Sequence, residues 1–341
     1  MPYRYAIIGC GQIGRRHASL AAGMGQLLAL CDTDPAKLND LCIQYGVPGY
    51  GQMDELLEAE KPDIVVICTP NGLHAGQTID ALRAGCHVLC EKPMAIYGRD
   101  AHQMVKAAKE AGKRLFVVKQ NRFNPPVTYI KGLLDAEALG DIHGFQLNCF
   151  WNRSISYFAS SPWRGSLDLD GGPLYTQFSH FIDLLIWFLG KPGRILHASG
   201  NNYSHPDISF EDEGQVVLEM ENGARGTIQY SLNAWRENME GSLALFGNRG
   251  TVRIGGTYLN ELTHFSVEGL ALPELPLPAA ANDYGSYKGS MSNHHLVYKA
   301  MIDSLQDDSY KYMDPAEGII SVELIEDIYR MMRQPGGNIN G

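Results

Sequence analysis

The chain has 341 residues, 45% of them hydrophobic and 19% charged, and a formal net charge of −10. This length predicts two domains, and the acidic balance argues against nucleic-acid binding because no global positive field attracts phosphate backbones. No apolar run approaches the ~20 residues that a membrane helix needs. Because the N-terminus also lacks a signal-peptide pattern, we expect a cytoplasmic protein that does not contact membranes.

The seven cysteines and eleven histidines form no recognisable metal motif. The cysteine count is odd and no two cysteines have CxxC spacing, which is typical of reduced core thiols. The histidines show no HExxH pattern. We therefore expect no structural disulfide and no metal.

Up to residue 120 the sequence alternates short apolar runs with helical stretches. Continuous apolar runs of this length are typical of parallel strands that are covered on both faces; they lie at 5–8, 27–31, 64–68, 87–90 and 115–118. Helices are predicted at 35–45, 75–84 and 100–111, the first of them capped by Asp34. Alternation of this kind predicts a doubly wound parallel sheet, a Rossmann domain spanning residues 1–120.

After residue 140 the apolar period changes to two, which predicts an α+β domain over residues 121–341. Alternation at 145–151, 215–221, 226–232 and 239–254 indicates a large, mostly antiparallel sheet with one open face, and Asn222-Gly223 indicates a type I′ hairpin. Helices are predicted at 175–189, 293–305 and 315–332. Residues 268–283 should form a loop, and residues 335–341 should be disordered.

A glycine-rich motif directly follows the first strand and opens a helix. Gly9, Gly11 and Gly14 match G-x-G-x-x-G, with Gln12 and Ile13 beginning the helix. In this context the first glycine makes a tight turn, the second admits a pyrophosphate, and the third lets helix and strand pack closely. The pattern predicts a dinucleotide at the helix N-terminus, although a turn rich in glycine for packing alone is the alternative.

Asp32 ends the second predicted strand at the separation expected for a ribose-binding carboxylate. It can accept hydrogen bonds from both ribose hydroxyls and would repel a 2′-phosphate, which favours NAD over NADP. Residues that end the next strand or begin its helix could contact the nicotinamide ribose or form a simple turn; they are Thr69, Pro70, Asn71 and His74.

Glu91-Lys92-Pro93 ends the strand at 87–90. Proline pushes the preceding residue toward extended geometry, so Lys92 should point from a strand's carboxyl end, where open α/β sheets bind ligands. In isolation the motif could also be a surface turn. Glu91 could orient or neutralise Lys92, or cap the next helix.

The predicted helix at 175–189 carries His180, with Thr176 and Asp183 on the same face at i, i+4 and i+7 spacing. His180 is a candidate general base, since histidine suits neutral pH. A satisfied core histidine is the alternative.

Together these motifs resemble the glucose–fructose oxidoreductase and inositol dehydrogenase (Gfo/Idh/MocA) family, in order and spacing, over nearly the whole chain. The resemblance implies that Lys92 and His180 are catalytic, with Lys92 polarising a sugar hydroxyl. It also extends the cofactor site to Glu91, Lys92, Gln120, Trp163 and Arg164.

The segments around Asn121 and Arg153 look most like the branch that contains UDP-N-acetylglucosaminuronate 3-dehydrogenases. The resemblance therefore implies oxidation of a sugar 3-hydroxyl. Polyol dehydrogenases of the family carry Asp four residues before the histidine, where this chain has Thr176, which argues against a simple inositol dehydrogenase.

The expected substrate contacts combine these catalytic residues with nearby polar and aromatic side chains; they are Lys92, Asn121, Arg122, Arg153, Tyr157, Thr176, Gln177 and His180. Arg153 and Arg164 suit a carboxylate or phosphate because guanidinium binds both bidentately, or they form surface ion pairs. Tyr157 and Trp163 either line the sugar pocket or pack in the core.

We thus predict an NAD-dependent dehydrogenase of a sugar or nucleotide sugar that forms a homodimer or homotetramer. The alternatives are a dehydrogenase of free polyols, an NAD-dependent glycosidase and a non-catalytic NAD-binding regulator.

Overall fold

The apolar runs of the first 120 residues form the central sheet of one of two structural units. In a computed structural model, which describes residues 1–285, 287–307, 309–310 and 312–333, the chain divides into residues 1–118 with 294–322 and residues 119–293 with 323–341. Residues 335–341, for which disorder was predicted, lie outside the described residues.

The first unit contains a six-stranded parallel sheet of order β3-β2-β1-β4-β5-β6. Its strands are β1 (Arg4–Ile8), β2 (Gln26–Cys31), β3 (Gly49–Tyr50), β4 (Ile64–Ile67), β5 (His87–Cys90) and β6 (Leu115–Val117). Its helices are α1 (Gln12–Met24), α2 (Pro35–Tyr45), α3 (Met53–Glu60), α4 (His74–Arg83) and α5 (Gly98–Ala111). The doubly wound Rossmann prediction is confirmed, and the short strand β3 and the helix α3 are additions to it.

Local sequence signals explain where these elements begin and end. Asp34 caps α2, its carboxylate accepting the backbone N–H groups of Ala36 and Lys37 at 3.0 and 3.4 Å. Gly112 ends α5 with φ of 61°, in the left-handed region that glycine enters without a Cβ clash.

The second unit contains a seven-stranded sheet of order β13-β12-β11-β7-β10-β9-β8. Its strands are β7 (Ile142–Phe150), β8 (Pro192–Asn201), β9 (Glu213–Met220), β10 (Arg225–Ser231), β11 (Glu240–Gly247), β12 (Gly250–Gly255) and β13 (Glu261–Val267). Every neighbouring pair is antiparallel except β7 and β10. The predicted, mostly antiparallel sheet is confirmed, and strands β8 and β13 extend it.

The hairpin at Asn222-Gly223 joins β9 to β10, but not through a type I′ turn. Gly223 has φ of 88°, whereas Asn222 is not among the residues with positive φ. A type I′ turn needs both. The connection is longer, with Met220 N–H donating to Ala224 C=O at 2.8 Å.

The predicted helix at 175–189 is broken in the structure. It consists of α8 (Pro173–Thr176) and α9 (Ser179–Leu189), after the helices α6 (Pro125–Asp135) and α7 (Ile155–Ala159). The backbone N–H of Gln177 and that of Phe178 both donate to Pro173 C=O at 2.9 Å, which closes α8 before α9 begins. Thr176 therefore does not share a continuous helical face with His180.

Beyond this sheet lie a small hairpin and two helices. The hairpin pairs β14 (Ala281–Asp283) with β15 (Lys288–Met291), and the helices are α10 (His294–Gln306) and α11 (Pro315–Met332). Residues 294–322 belong to the first unit, although the sequence prediction had placed them with 121–341; α10 packs against α1 there. Among the described residues, no helix is both long and apolar enough to cross a bilayer.

Candidate active site: a dinucleotide loop and a buried histidine

The three glycines of the dinucleotide loop occupy different environments. A Cβ on Gly9, whose φ is 96°, would lie 2.7 Å from Cys68 O, and one on Gly14 would lie 1.8 Å from Gly9 O. Around Gly11, in contrast, no atom lies within 4 Å of an added Cβ. Gly9 thus makes the tight turn, Gly11 leaves room for a pyrophosphate, and Gly14 allows the helix and the strand to pack closely.

The N-terminus of α1 suits a diphosphate. Helix α1 has no side-chain cap at Gly11 and no acidic residue in its first turn, so its backbone N–H groups face outward without competition from a carboxylate. Such helix ends favour anions through both the N–H groups and the helix dipole. The exposed Gln12 begins the helix and the half-buried Ile13 follows it.

Asp32 stands beside this loop, at the carboxyl end of β2. Its carboxylate accepts the backbone N–H of Cys10 at 2.6 Å and that of Asp34 at 2.8 Å. Each oxygen retains a further acceptor position. The residues present therefore fit NAD, and Asp32 would hold the adenosine ribose.

The loop after β4 is tied to the lysine turn by His74. The buried imidazole of His74 faces Pro93 O at 2.7 Å and Thr69 O at 2.8 Å. Burial lowers the pKa of His74. Thr69 also donates to Gln77 at 2.5 Å, and Asn71 is buried. His74, predicted to contact the cofactor, is thus occupied in joining two loops.

Lys92 follows β5 as predicted, and the Lys92–Pro93 peptide bond is cis. Lys92 is half-buried, whereas the Glu91 side chain is buried against His17 and accepts the backbone N–H of Lys92 at 3.0 Å. Glu91 therefore does not cap the next helix, whose N-cap is Tyr97.

In the second unit His180 is 4% exposed at the start of α9. Gln120, in the 3₁₀ turn Gln120–Phe123, places its amide nitrogen 3.0 Å from His180 Nε2 and 2.9 Å from Ser290 Oγ. With the amide in this orientation, Nε2 accepts the Gln120 N–H, so a neutral ring carries its own proton on Nδ1.

Asp183 does not act as a carboxylate partner of His180 in place of an acidic residue at position 176. Arg122 donates two hydrogen bonds to it, at 2.9 and 2.8 Å, and Lys119 Nζ lies 2.8 Å away. Burial alone would raise the pKa of Asp183, but these two cations hold it well below its usual value. Arg122, predicted to contact substrate, therefore has its guanidinium committed to Asp183.

Thr176 connects to a different carboxylate. Its hydroxyl donates to both the side chain and the backbone carbonyl of Asp170. Burial raises the pKa of Asp170 to about 6, opposed by hydrogen bonds from Thr176 and from the Gly165 N–H. The Thr176 hydroxyl is thus held by Asp170, a residue that was not among the predicted site residues.

Two guanidinium groups of the second unit lack a carboxylate partner. Arg153 is 2% exposed, and its guanidinium donates to Gln177 Oε1 at 2.7 Å, to Asn238 Oδ1 and to two backbone carbonyls. Arg164 lies over the Tyr157 ring at 4.0 Å and donates to backbone and hydroxyl oxygens; its charge also helps to lower the pKa of Asp170. Within the described part of the chain, no acidic side chain comes within 4.0 Å of either one. Burial lowers the pKa of Arg153.

Other polar groups near these residues are also unsatisfied. Asn121 is 2% exposed, and neither of its amide atoms has a hydrogen-bond partner among the described residues; the Arg164 Nε is buried and unpartnered too. Buried polar groups are normally hydrogen-bonded. Asn121 and Arg164 are both predicted ligand contacts, although unpartnered buried atoms also occur elsewhere in the described chain. Trp163 is half-buried beside Arg164.

This fold and this loop define an NAD-binding Rossmann oxidoreductase. Residues 3–119 match the model of the oxidoreductase family with an NAD-binding Rossmann fold, and residues 127–253 match the GFO/IDH/MocA C-terminal domain. The chain belongs to the Gfo/Idh/MocA family of oxidoreductases. The predictions of family, enzyme class and NAD as cofactor are confirmed.

Similar solved structures include two WlbA dehydrogenases, each in complex with NADH and UDP-GlcNAcA. The one from Chromobacterium violaceum is 33% identical with a TM-score of 0.87, covering 97% of this chain and 94% of that one. The one from Bordetella pertussis is also 33% identical with a TM-score of 0.87, covering 98% and 97%. The D-glucoside 3-dehydrogenase of Escherichia coli K12 is 32% identical over 67% of each chain.

Proposed function

We propose that this protein is an NAD-dependent dehydrogenase that oxidises the 3-hydroxyl of a UDP-N-acetylhexosaminuronate. The observation that carries the proposal is the pair of guanidinium groups, Arg153 and Arg164, without a carboxylate partner. Arg153 is buried and Arg164 is half-buried, and burial strengthens the attraction of a cation to an anionic ligand. A uronate carboxylate or a diphosphate has that charge.

The similarity to two WlbA dehydrogenases in complex with UDP-GlcNAcA supports the same substrate class. The similarity to a D-glucoside 3-dehydrogenase supports the position of oxidation. Asn121 and Arg164 supply hydrogen-bond donors that no described residue accepts, as a polar sugar requires.

In the proposed reaction the substrate's secondary alcohol loses a hydride from carbon and a proton from oxygen. Bound NAD supplies the hydride acceptor. His180 takes the hydroxyl proton, and Lys92 donates a hydrogen bond to the oxygen as negative charge develops on it. Gln120 keeps the His180 ring oriented, and the Tyr157 ring stacks against the Arg164 guanidinium.

The test is substrate-dependent NADH formation with UDP-GlcNAcA, UDP-GlcNAc, free N-acetylglucosaminuronate and inositol. We expect the uronate nucleotide to give the highest kcat/KM. Replacing Lys92 or His180 with Ala should lower kcat by about 10²-fold or more, the range that a general base or an electrostatic donor contributes.

Two further variants test whether Arg164 recognises the negative charge of the uronate. Arg164→Gln should reduce the preference for UDP-GlcNAcA over UDP-GlcNAc by about tenfold, the equivalent of ~1.4 kcal/mol. Arg249→Gln, an exposed arginine of the same unit that pairs with Glu268, is the matched control and should leave the preference unchanged. Release of UDP without net NADH would identify a glycosidase instead, and NAD binding without turnover of any compound would identify a regulator.

A further inference from the structure

Glu91 lies at the centre of a buried cluster that the proposed reaction does not itself use. The cluster comprises His17, Glu91, His294 and Tyr298, all in the first unit and none more than 5% exposed. His17 comes from α1, Glu91 from the turn after β5, and the other two from α10. Residues far apart in sequence thus meet directly beneath the turn that carries Lys92.

Three N–H donors converge on the two oxygens of the Glu91 carboxylate. His17 Nε2 lies 2.9 Å and His294 Nε2 lies 3.5 Å from Oε1. The backbone N–H of Lys92 donates to Oε2 at 3.0 Å. Burial pushes the pKa of Glu91 upward, but the hydrogen bonds from the two histidines hold it well below its usual value.

The hydrogen bonds in the cluster run in one consistent direction. If both histidines carry the proton on Nε2, His17 Nδ1 is an acceptor, and the hydroxyl of Tyr298 lies 3.0 Å from it. The rings of His17 and His294 meet edge to face, with centroids 5.5 Å apart. Glu91 Oε1 is then the acceptor that the two Nε2–H groups share.

We propose that Glu91 is a positioning residue for Lys92, and that His17 and His294 act through it. The carboxylate would tie the backbone of the lysine turn to α1, the helix that begins at the dinucleotide loop, and to α10. Lys92 would thus be held in register with the bound nicotinamide. This inference rests on the catalytic role proposed for Lys92.

Glu91→Gln is the sharpest variant, because an amide has only one acceptor oxygen for three converging donors. Its NH₂ group must face an N–H of either Lys92 or a histidine, so one contact is lost while side-chain volume is kept. We expect kcat to fall about 10- to 100-fold, since small misplacements of a catalytic group have effects of that size. The Kd for NADH, measured by fluorescence titration, should change less than about threefold (~0.7 kcal/mol).

Two further variants separate positioning from general destabilisation. Tyr298→Phe removes the partner of His17 Nδ1 but leaves Glu91 intact, so its kcat should lie between those of the wild type and Glu91→Gln. Ser304→Ala is the matched control on α10. Ser304 is fully buried and bonds Tyr310 and Tyr312, not Glu91, so its loss of a buried hydrogen bond should leave kcat unchanged.

The outcomes distinguish this inference from the proposed function. Full activity of Lys92→Ala would overturn the catalytic assignment itself. Loss of activity in Lys92→Ala with full activity in Glu91→Gln would overturn the positioning role alone, and so would an equal loss of NADH affinity and kcat. Elemental analysis of the purified enzyme completes the test, because a stoichiometric metal that is lost with Glu91 would make the cluster a metal site.

Discussion

At the scale of single residues, His180 has the side-chain amide of Gln120 as a neighbour. Gln120 lies 3.0 Å from His180 Nε2, while Thr176 is engaged with Asp170 and Asp183 with Lys119 and Arg122. A neutral partner orients the imidazole without stabilising its protonated form. A carboxylate in place of the Gln120 amide would favour the protonated ring.

Gln120→Glu tests this reading through the pH profile of kcat/KM. A carboxylate beside His180 favours the imidazolium and should raise the apparent pKa of the acidic limb by about 1 unit or more. Because only the neutral ring accepts a proton, the variant should lose activity near neutral pH and recover it at higher pH. Rates of NADH formation measured across the pH range give the acidic limb of the kcat/KM profile directly.

Ser290→Ala is the control, since it removes the other acceptor of Gln120 and leaves the contact with His180. Its acidic limb should coincide with that of the wild type. An active Gln120→Glu enzyme with an unshifted acidic limb would mean that His180 is not the group that titrates.

At the scale of elements, α9 is held to the segment before α6 by a buried ion cluster. Asp183 on α9 is 2% exposed and binds Lys119 and Arg122, which precede α6. Arg122 also lies over the Trp187 ring at 4.8 Å. The cluster fixes α9, and with it His180, against the turn that carries Gln120.

Asp183→Asn should destabilise the protein by about 3–5 kcal/mol, because it leaves two buried cations without their anion. Urea unfolding followed by fluorescence measures the difference. Asp303→Asn breaks the exposed pair with Lys299 on α10 and should cost less than about 1 kcal/mol. A loss below about 1 kcal/mol for Asp183→Asn would contradict the structural role.

The pH dependence of this difference has a defined sign. The folded-state pKa of Asp183 lies well below its unfolded value of about 4. The ionised carboxylate therefore contributes its full stability above about pH 4, and the contribution is lost as the pH falls toward the folded pKa. The free energy of unfolding should therefore differ between wild type and Asp183→Asn by the same amount at pH 7 and at pH 5. The difference should be smaller at about pH 3.5.

Elements with local signals were predictable, and elements defined by distant partners were not. The glycine loop, the Asp34 cap and the strand ending at Cys90 follow from apolar runs and cap residues, which neighbouring residues determine. The break between α8 and α9 has no such signal, because Gln177 and Phe178 are compatible with a helix. Their conformation follows from the Pro173 carbonyl, which accepts both of their N–H groups.

The site shows the same division. Lys92 and His180 could be proposed as site residues from motif and family resemblance. His17 and His294 were not, because Glu91, which connects them to the lysine turn, lies 74 residues from His17 in sequence. The sequence shows only that His17 follows Gly14 by one turn on the inner face of α1. That position predicts burial but does not identify the residue that His17 contacts.

At the scale of the whole molecule, the outer face of the seven-stranded sheet has the composition of an interface. Exposed side chains at its centre are uncharged: Gln146, Gln215, Thr227 and Gln229. Thr227 pairs with Gln146 across β7 and with Val217 across β9. Charged residues such as Arg225 and Glu219 lie toward the strand ends, where they pair with each other. A centre without charges and a charged rim are typical of protein interfaces.

We therefore expect two copies of the chain to associate through this face. Light scattering on the purified protein at micromolar concentration should give a mass of at least twice 37.6 kDa. Thr227→Arg places an unpaired charge at the centre of the face, where burial in an interface would be costly, and should shift the mass toward that of one chain. Lys106→Ala, on the exposed side of α5, should leave the mass unchanged. A wild-type protein that is monomeric at this concentration would contradict the assembly, and an unchanged oligomer in Thr227→Arg would place the interface on another surface.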